Sequence, residues 1–197
     1  MTTKTKWVVD ATHSEIGFKV RHLMIAHTKG FFKTFDANIY TTEKDFTTAE
    51  IDLWIDVASV STGDEKRDEH LKSEDFFDVK LHKQITFTCT SIEKANEGKT
   101  HDMWGELTMK GIMKVIKLNV EFGGIVKDHN GNEKAGFTVK GKINRKDWGL
   151  EWNKTLEVGG IMVGEDITIM CELELDVATE KDETMVLEEQ KKEKFVF

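Results

Sequence analysis

Asp166-Ile167-Thr168-Ile169-Met170-Cys171-Glu172-Leu173-Glu174-Leu175-Asp176-Val177 has an apolar side chain at every odd position and a polar one at every even position but Met170. Successive side chains of a strand point to opposite faces, so this pattern predicts a strand with one buried and one wet face. The same period recurs upstream. Ile16, Phe18 and Val20 alternate with Gly17 and Lys19; Phe35, Ala37 and Ile39 with Asp36 and Asn38; Ile51, Leu53, Ile55 and Val57 with Asp52, Trp54 and Asp56. Ile85, Phe87 and Cys89 form a further set, as do Ile116, Leu118, Val120 and Phe122, and Ala135, Phe137, Val139 and Ile143. Residues 104–110 form a weaker, eighth candidate.

The turns favour a meander. His129-Asn130-Gly131-Asn132 separates two of these strands, and Asn-Gly fits a tight hairpin. Gly123-Gly124 inside a long strand predicts a bulge or sharp bend. The predicted class is all-β, an antiparallel barrel of eight strands. An interior of that size is either filled by side chains or left open for one small ligand.

One segment departs from the period. Thr62 and Glu65 are spaced as a capping box, which predicts a short helix over residues 65–71. Ser73-Glu74-Asp75 reads as a second cap leading into Phe76-Phe77. A helical insertion at residues 64–77 is therefore expected over one barrel end. The last stretch, 179–197, is charge-dense and helix-prone but ends Phe195-Val196-Phe197. It divides the chain into a barrel (residues 1–178) and a tail (179–197), either frayed or docked on a partner.

Composition narrows the function. The chain has 197 residues, 39% of them hydrophobic, which excludes a wholly disordered polypeptide. Its 28 Lys+Arg against 36 Asp+Glu leave a net charge of −8, which argues against a nucleic-acid partner. No apolar run approaches the ~20 residues of a membrane span. Cys89 and Cys171 are too few for a disulfide scaffold. The first residues lack the apolar core of a secretory signal, so the expected compartment is the cytoplasm, or the periplasm if a leader has been removed.

The chemistry-bearing residues form no clear catalytic set. Seven histidines show neither His-Glu-x-x-His spacing nor an accompanying Cys-x-x-Cys, so no metal site and no required cofactor are expected. His82, His101 and His129 fall in expected loops or edges and read as solvated; His13, His22 and His70 fall where strands or the insertion end. Ser14, His22 and Asp10 offer triad residue types, but no Gly-x-Ser-x-Gly elbow holds a nucleophile. Arg67 and His70, three apart, share a helix face. Arg145 precedes Asp147-Trp148-Gly149. These cations either meet an anionic headgroup at the barrel mouth, or Arg145 pairs with Asp68 or Asp147 and closes the barrel. Phe18, Phe31, Phe35, Phe76, Phe77, Trp148 and Trp152 either pack a core or line a tunnel.

The motifs resemble one family when taken together. They run from Trp7-Val-Val-Asp-Ala-Thr-His-Ser-Glu-Ile-Gly-Phe-Lys-Val-Arg-His22 through Ala58-Ser-Val-Ser-Thr-Gly-Asp-Glu-Lys-Arg-Asp-Glu-His-Leu-Lys-Ser-Glu-Asp-Phe-Phe77. Gly105-Glu-Leu-Thr-Met-Lys-Gly111, Gly141-Lys-Ile-Asn-Arg-Lys-Asp-Trp-Gly-Leu150 and Leu156-Glu-Val-Gly-Gly-Ile-Met-Val-Gly-Glu-Asp-Ile167 follow in order. This resembles the YceI-like, lipocalin-like polyisoprenoid-binding proteins over residues 7–177. Gln84 and Val115 stand where prolines are common in the family, which bears on turn stiffness more than on pocket chemistry.

The resemblance implies an extended lipocalin-like barrel holding an isoprenoid or similar amphiphile, of polyprenyl phosphate or quinone type, and a homodimer. On that basis Phe18, Val20, Phe31, Phe35, Phe76, Phe77, Phe87 and Trp148 are expected at the tunnel or its mouth. His22, Arg67, His70 and Arg145 are expected near the headgroup. The rival readings are an enzyme using His22 or His70 as acid/base in the same pocket, and an interaction protein using its tail.

Overall fold

The computed structural model describes residues 4–42, 46–95, 99–155, 157 and 159–178. The expected tail at 179–197 lies outside the described residues. The strands are β1 (Thr5–Val9), β2 (Glu15–His22), β3 (Ala26–Phe32), β4 (Phe35–Thr41), β5 (Glu50–Asp56) and β6 (Val60–Ser61). After the helix α1 (Glu65–Lys72) come β7 (Gln84–Lys94), β8 (Thr100–Met109), β9 (Ile112–Lys127), β10 (Glu133–Asn144) and β11 (Val163–Val177).

These eleven segments make eight barrel strands. β1 and β2 lie end to end along β11, which pairs with β1 at Leu175–Val177 and with β2 from Val163 to Glu172. β3 and β4 continue each other across Lys33-Thr34, and β5 and β6 across a 3-10 turn at Val57–Ser59. All pairings are antiparallel, and β1 bonds to both β4 and β11, which closes the ring. Each strand expected from the alternation falls on one of the eight. The alternation did not disclose β1 and β3, whose inward faces are short.

Two breaks show why a chain of this length bends where it does. Lys33 N donates to Ser59 O and Thr34 N to Ser59 Oγ, so the 3-10 turn and the Lys33-Thr34 step hold each other. On β9, Gly123 is the extra residue of a bulge, since Gly136 pairs with Gly124 while Phe137 pairs with Phe122. Gly124 has φ +116°, a region closed to most L-residues. The 9–10 hairpin is a five-residue loop rather than a tight turn. Its Asp128 carboxylate accepts from Asn130 N and Asn132 N.

The insertion forms a helix as expected, but its cap differs. The N-cap is Asp64, whose side chain accepts from Arg67 N. Thr62 instead donates its hydroxyl to Asp68 Oδ1. The Asp64 carboxylate reaches the free N–H groups of the first turn, and this leaves Thr62 to tether the helix laterally. Ser73 caps the C-terminus of α1 rather than opening a second helix, and Phe76 and Phe77 follow on turns. Both rings are buried, and Lys110 Nζ donates to Phe76 O, fixing this insertion over one barrel end.

The interior holds two apolar clusters. The larger fills the helical end and the middle, including Phe32, Phe77, Phe87, Met103, Leu107 and Trp148. The smaller closes the opposite end around Trp7, Ala37, Ile39, Phe46, Ala135 and Leu175.

Candidate functional site

Inward-facing positions from nearly every strand enclose a cavity of about 260 Å³. Its wall includes Phe18 and Val20 of β2, Phe35 of β4, Phe87 of β7, and Phe76 and Phe77 of the insertion. These six expected residues are thus brought together, although they come from four separate parts of the chain. The Phe18 and Phe32 rings are tilted at 45° with centroids 5.8 Å apart, and Phe32 meets Phe77 edge-on at 6.1 Å, so the aromatics form a connected row along the wall. Offset and edge-on ring pairs of this kind are favourable beyond their buried area.

Glycines opposite these rings make the space. Gly30 pairs with Phe18 across β2 and β3, and a Cβ there would collide with the Phe18 ring. Gly105 of β8 would collide with the Phe87 ring in the same way. Each glycine lets a neighbouring aromatic lie down over the sheet.

Five expected residues are placed elsewhere. Phe31 is half-buried and does not line the cavity; with a side-chain period of two, Phe32 takes the inward position. Trp148 is 1% exposed but lies behind the wall, its indole N–H donating to Leu107 O at 3.2 Å. It closes the helical end as a core residue. His22 sits at the outer end of β2, paired with Val163 and Ala26, away from the cavity wall. Arg67 is exposed and binds Thr62, through Oγ1 at 2.7 Å and the carbonyl at 3.0 Å, so it anchors α1 rather than a headgroup. His70 also stays off the wall. It pairs with Asp75 at 2.7 Å and stands edge-on to Trp152 and Phe76, where it props the insertion. Neither His22 nor His70 is therefore positioned for acid/base work inside the pocket.

Arg145 does line the cavity, and it is 2% exposed. Its partners are backbone carbonyls: Gly164 O at 3.0 Å, Trp152 O at 2.9 Å and Leu150 O. Neither Asp68 nor Asp147 takes it up. Burial lowers its pKa from the ordinary value, and the nearby Glu165 raises it. Each of the three guanidinium nitrogens thus donates one bond that holds the segment after β10 against the start of β11.

Two inward features were not legible as functional. Phe46, in the loop after β4, packs on Trp7, Phe122 and Phe137 with ring centroids at 4.9, 5.5 and 4.8 Å, and plugs the barrel end opposite α1. A single Phe within Thr42-Glu-Lys-Asp-Phe46-Thr-Thr was the available signal. His101, read from the sequence as solvated, is 4% exposed and lines the cavity. Carrying the β8 alternation back from Leu107 through Met103 would have placed it inward.

A group that could hold a metal, Asp10, His13 and Glu174, lies on the outside between β1 and β2. Lys134 already occupies it, with Nζ 3.1 Å from Asp10, 2.7 Å from Glu174 and 2.8 Å from Asp176. The ammonium supplies the positive charge these carboxylates need, so the group reads as an ion-pair network. Among the described residues no helix is long and apolar enough to cross a membrane.

Comparison with known proteins agrees with this architecture. A UPF0312 protein of Staphylococcus epidermidis is 36% identical over 174 residues, covering 88% of this chain and 98% of that protein. The crystal structure of a Campylobacter jejuni YceI protein superposes with a TM-score of 0.67 at 34% identity, over 86% of this chain and 96% of that one. A polyisoprenoid-binding domain from Saccharophagus degradans, 18% identical, shares the fold with a TM-score of 0.62 over 88% of this chain and 99% of that one. Residues 7–175 match the YceI-like domain, and the chain belongs to that family.

Proposed function

We propose that this protein binds an isoprenoid or other long-chain amphiphile inside its barrel, as a carrier, store or scavenger. The observation that carries the reading is the cavity of about 260 Å³ with an almost wholly apolar wall. An apolar cavity of ~150 Å³ admits benzene, so this one takes a larger apolar group. The name of the Saccharophagus degradans domain, which shares the fold, points to the same ligand class. Each buried methylene contributes ~0.8 kcal/mol, so one isoprene unit offers roughly 3–4 kcal/mol before ordering costs. A few units suffice for micromolar affinity.

Binding rather than turnover is supported by the placement of His22 and His70 outside the cavity wall. The test is native mass spectrometry of protein purified without detergent, followed by organic extraction. A co-purified amphiphile of discrete mass, lost in Phe18→Asp and Phe35→Asp, is the expected result. Retention of the amphiphile in both variants would remove the cavity from the reading. The family resemblance also implies a homodimer, for which light scattering should give twice the chain mass.

A further inference from the structure

Among the described residues, the cavity wall contains two side chains with strongly polar heads, and they differ in one respect. Arg145 has carbonyl partners for its guanidinium. His101 has none for Nε2, the one buried side-chain nitrogen among the described residues without a hydrogen-bond partner. The side chain is 4% exposed and lines the cavity. It occupies an inward position of β8, in register with Val120, and the inward positions that follow it are Met103, Gly105, Leu107 and Met109. An apolar residue would serve this position better if packing were its only task. A buried polar atom left unpaired costs about 1–3 kcal/mol, and natural interiors rarely keep one without a use.

Resting on the reading of the cavity as an amphiphile site, we infer that His101 Nε2 receives the polar group of the ligand, and that this group is a neutral oxygen, a hydroxyl or carbonyl. Imidazole can donate to a carbonyl or accept from a hydroxyl, according to its tautomer. Charge decides against a phosphate. Among the described residues the only formally charged side chain on the wall is Arg145; three of its five N–H donors already bond backbone carbonyls, and it shares a 3-10 turn with Trp148 at the helical end, away from His101. Lys94, the register partner of His101 on β7, is exposed and does not line the cavity. A buried phosphate beside His101 would lack the compensation that buried charge requires.

The placement also orients the ligand. His101 lies near the Phe46 end, since Phe122, two residues beyond its partner Val120, touches Phe46. Leu107, which receives the Trp148 indole at the helical end, is six residues further along β8. That is about 20 Å of strand. The oxygen therefore sits at the Phe46 end, and the hydrocarbon runs toward Phe76 and Phe77.

The test uses three probes with one chain and three heads: farnesol, farnesene and farnesyl phosphate. Affinities for the delipidated full-length protein are measured by calorimetry, in wild type, His101→Leu and His101→Gln. Farnesol should bind wild type more tightly than farnesyl phosphate. His101→Leu should weaken farnesol about tenfold and leave farnesene unchanged, while His101→Gln should retain most of the farnesol affinity. Equal losses for farnesol and farnesene, or no loss for either, would make His101 a packing residue and overturn the inference. Tighter binding of farnesyl phosphate that depends on His101 would overturn the neutral head. Failure of wild type to bind any of the three, farnesene included, would instead bring down the amphiphile reading itself. A melting scan without lipid guards the variants: His101→Leu should melt no lower than wild type, because it removes an unpaired nitrogen. A lower melting temperature would show that the His101 ring has a structural task in the unliganded protein, which would also overturn the inference.

Discussion

Arg145 is held as a staple. Its three backbone acceptors belong to residues 150, 152 and 164, so one side chain fastens the segment following β10 to the start of β11. Arg145→Ala should destabilise the fold by about 3 kcal/mol or more, because buried carbonyls lose charge-assisted donors together. Urea unfolding would show this as a lower midpoint, and an unchanged midpoint would refute the staple. The cysteines offer a second check at this scale. Burial pushes the Cys171 thiol up to about 12 and the Cys89 thiol up to about 11. The thiolate is the nucleophile, so at pH 8 both should resist alkylation until denaturant is added, as mass spectrometry would report.

The Asp10 network predicts a pH response. The Thr12 hydroxyl, followed by His13 and Lys134, holds the Asp10 carboxyl below its ordinary 3.8. A depressed carboxylate stabilises the fold above its unfolded pKa, and that contribution is lost as pH falls through the folded value. His13 is raised, chiefly by its hydrogen bond to Asp10, so its contribution is complete below about pH 6.5 and fades as pH rises through the folded value. Melting temperature in wild type should therefore fall on acidification below about pH 4 more steeply than in Asp10→Asn. Parallel acid limbs in the two proteins would count against the network.

At the scale of elements, the glycines of β3 and β8 determine how aromatic rings meet the cavity. Gly105→Ala should drive the Phe87 ring off its place on β8, costing about 1–3 kcal/mol through overpacking and shrinking the bound lipid content. Adding Phe87→Leu should recover part of the stability, since the shorter side chain clears the new methyl. If the double variant is no more stable than Gly105→Ala alone, the two residues do not compete for this space. The helix illustrates a subtler choice. The Thr62–Glu65 spacing fits a capping box, yet Asp64 caps α1 because it stands three residues before Arg67, the N-cap to N3 distance at which its carboxylate reaches Arg67 N, while Thr62 is drawn to Asp68.

For the whole molecule, closure removes free edges: β1 bridges β4 and β11, and β2 continues the same seam. Phe46 completes the far end by filling the space between Trp7, Phe122 and Phe137. Phe46→Ala should cost about 3–5 kcal/mol and speed release of a bound fluorescent lipid, which stopped-flow dilution would measure. Release at the wild-type rate would show that ligand does not pass this end.

The alternation of residues 166–177, and of the segments like it, determined the class, the strand count and the inward face of β2, β4, β5, β7, β9, β10 and β11, but not of β1, β3 or β8. Those are local properties, because a strand repeats every two residues whatever it pairs with. Phe18, Phe35 and Phe87 were legible as wall residues for that reason. Phe31 and Trp148 were misjudged because aromatic character does not reveal which side of a wall a ring occupies. Only the tertiary structure decided the polar groups. Whether Arg145 meets a headgroup or a carbonyl depends on residues 150, 152 and 164 folding back on it, and whether His101 is solvated or left without a partner depends on seven other strands closing around β8. Hydrogen-bond satisfaction is a property of non-local neighbours, and a period of two carries no information about them.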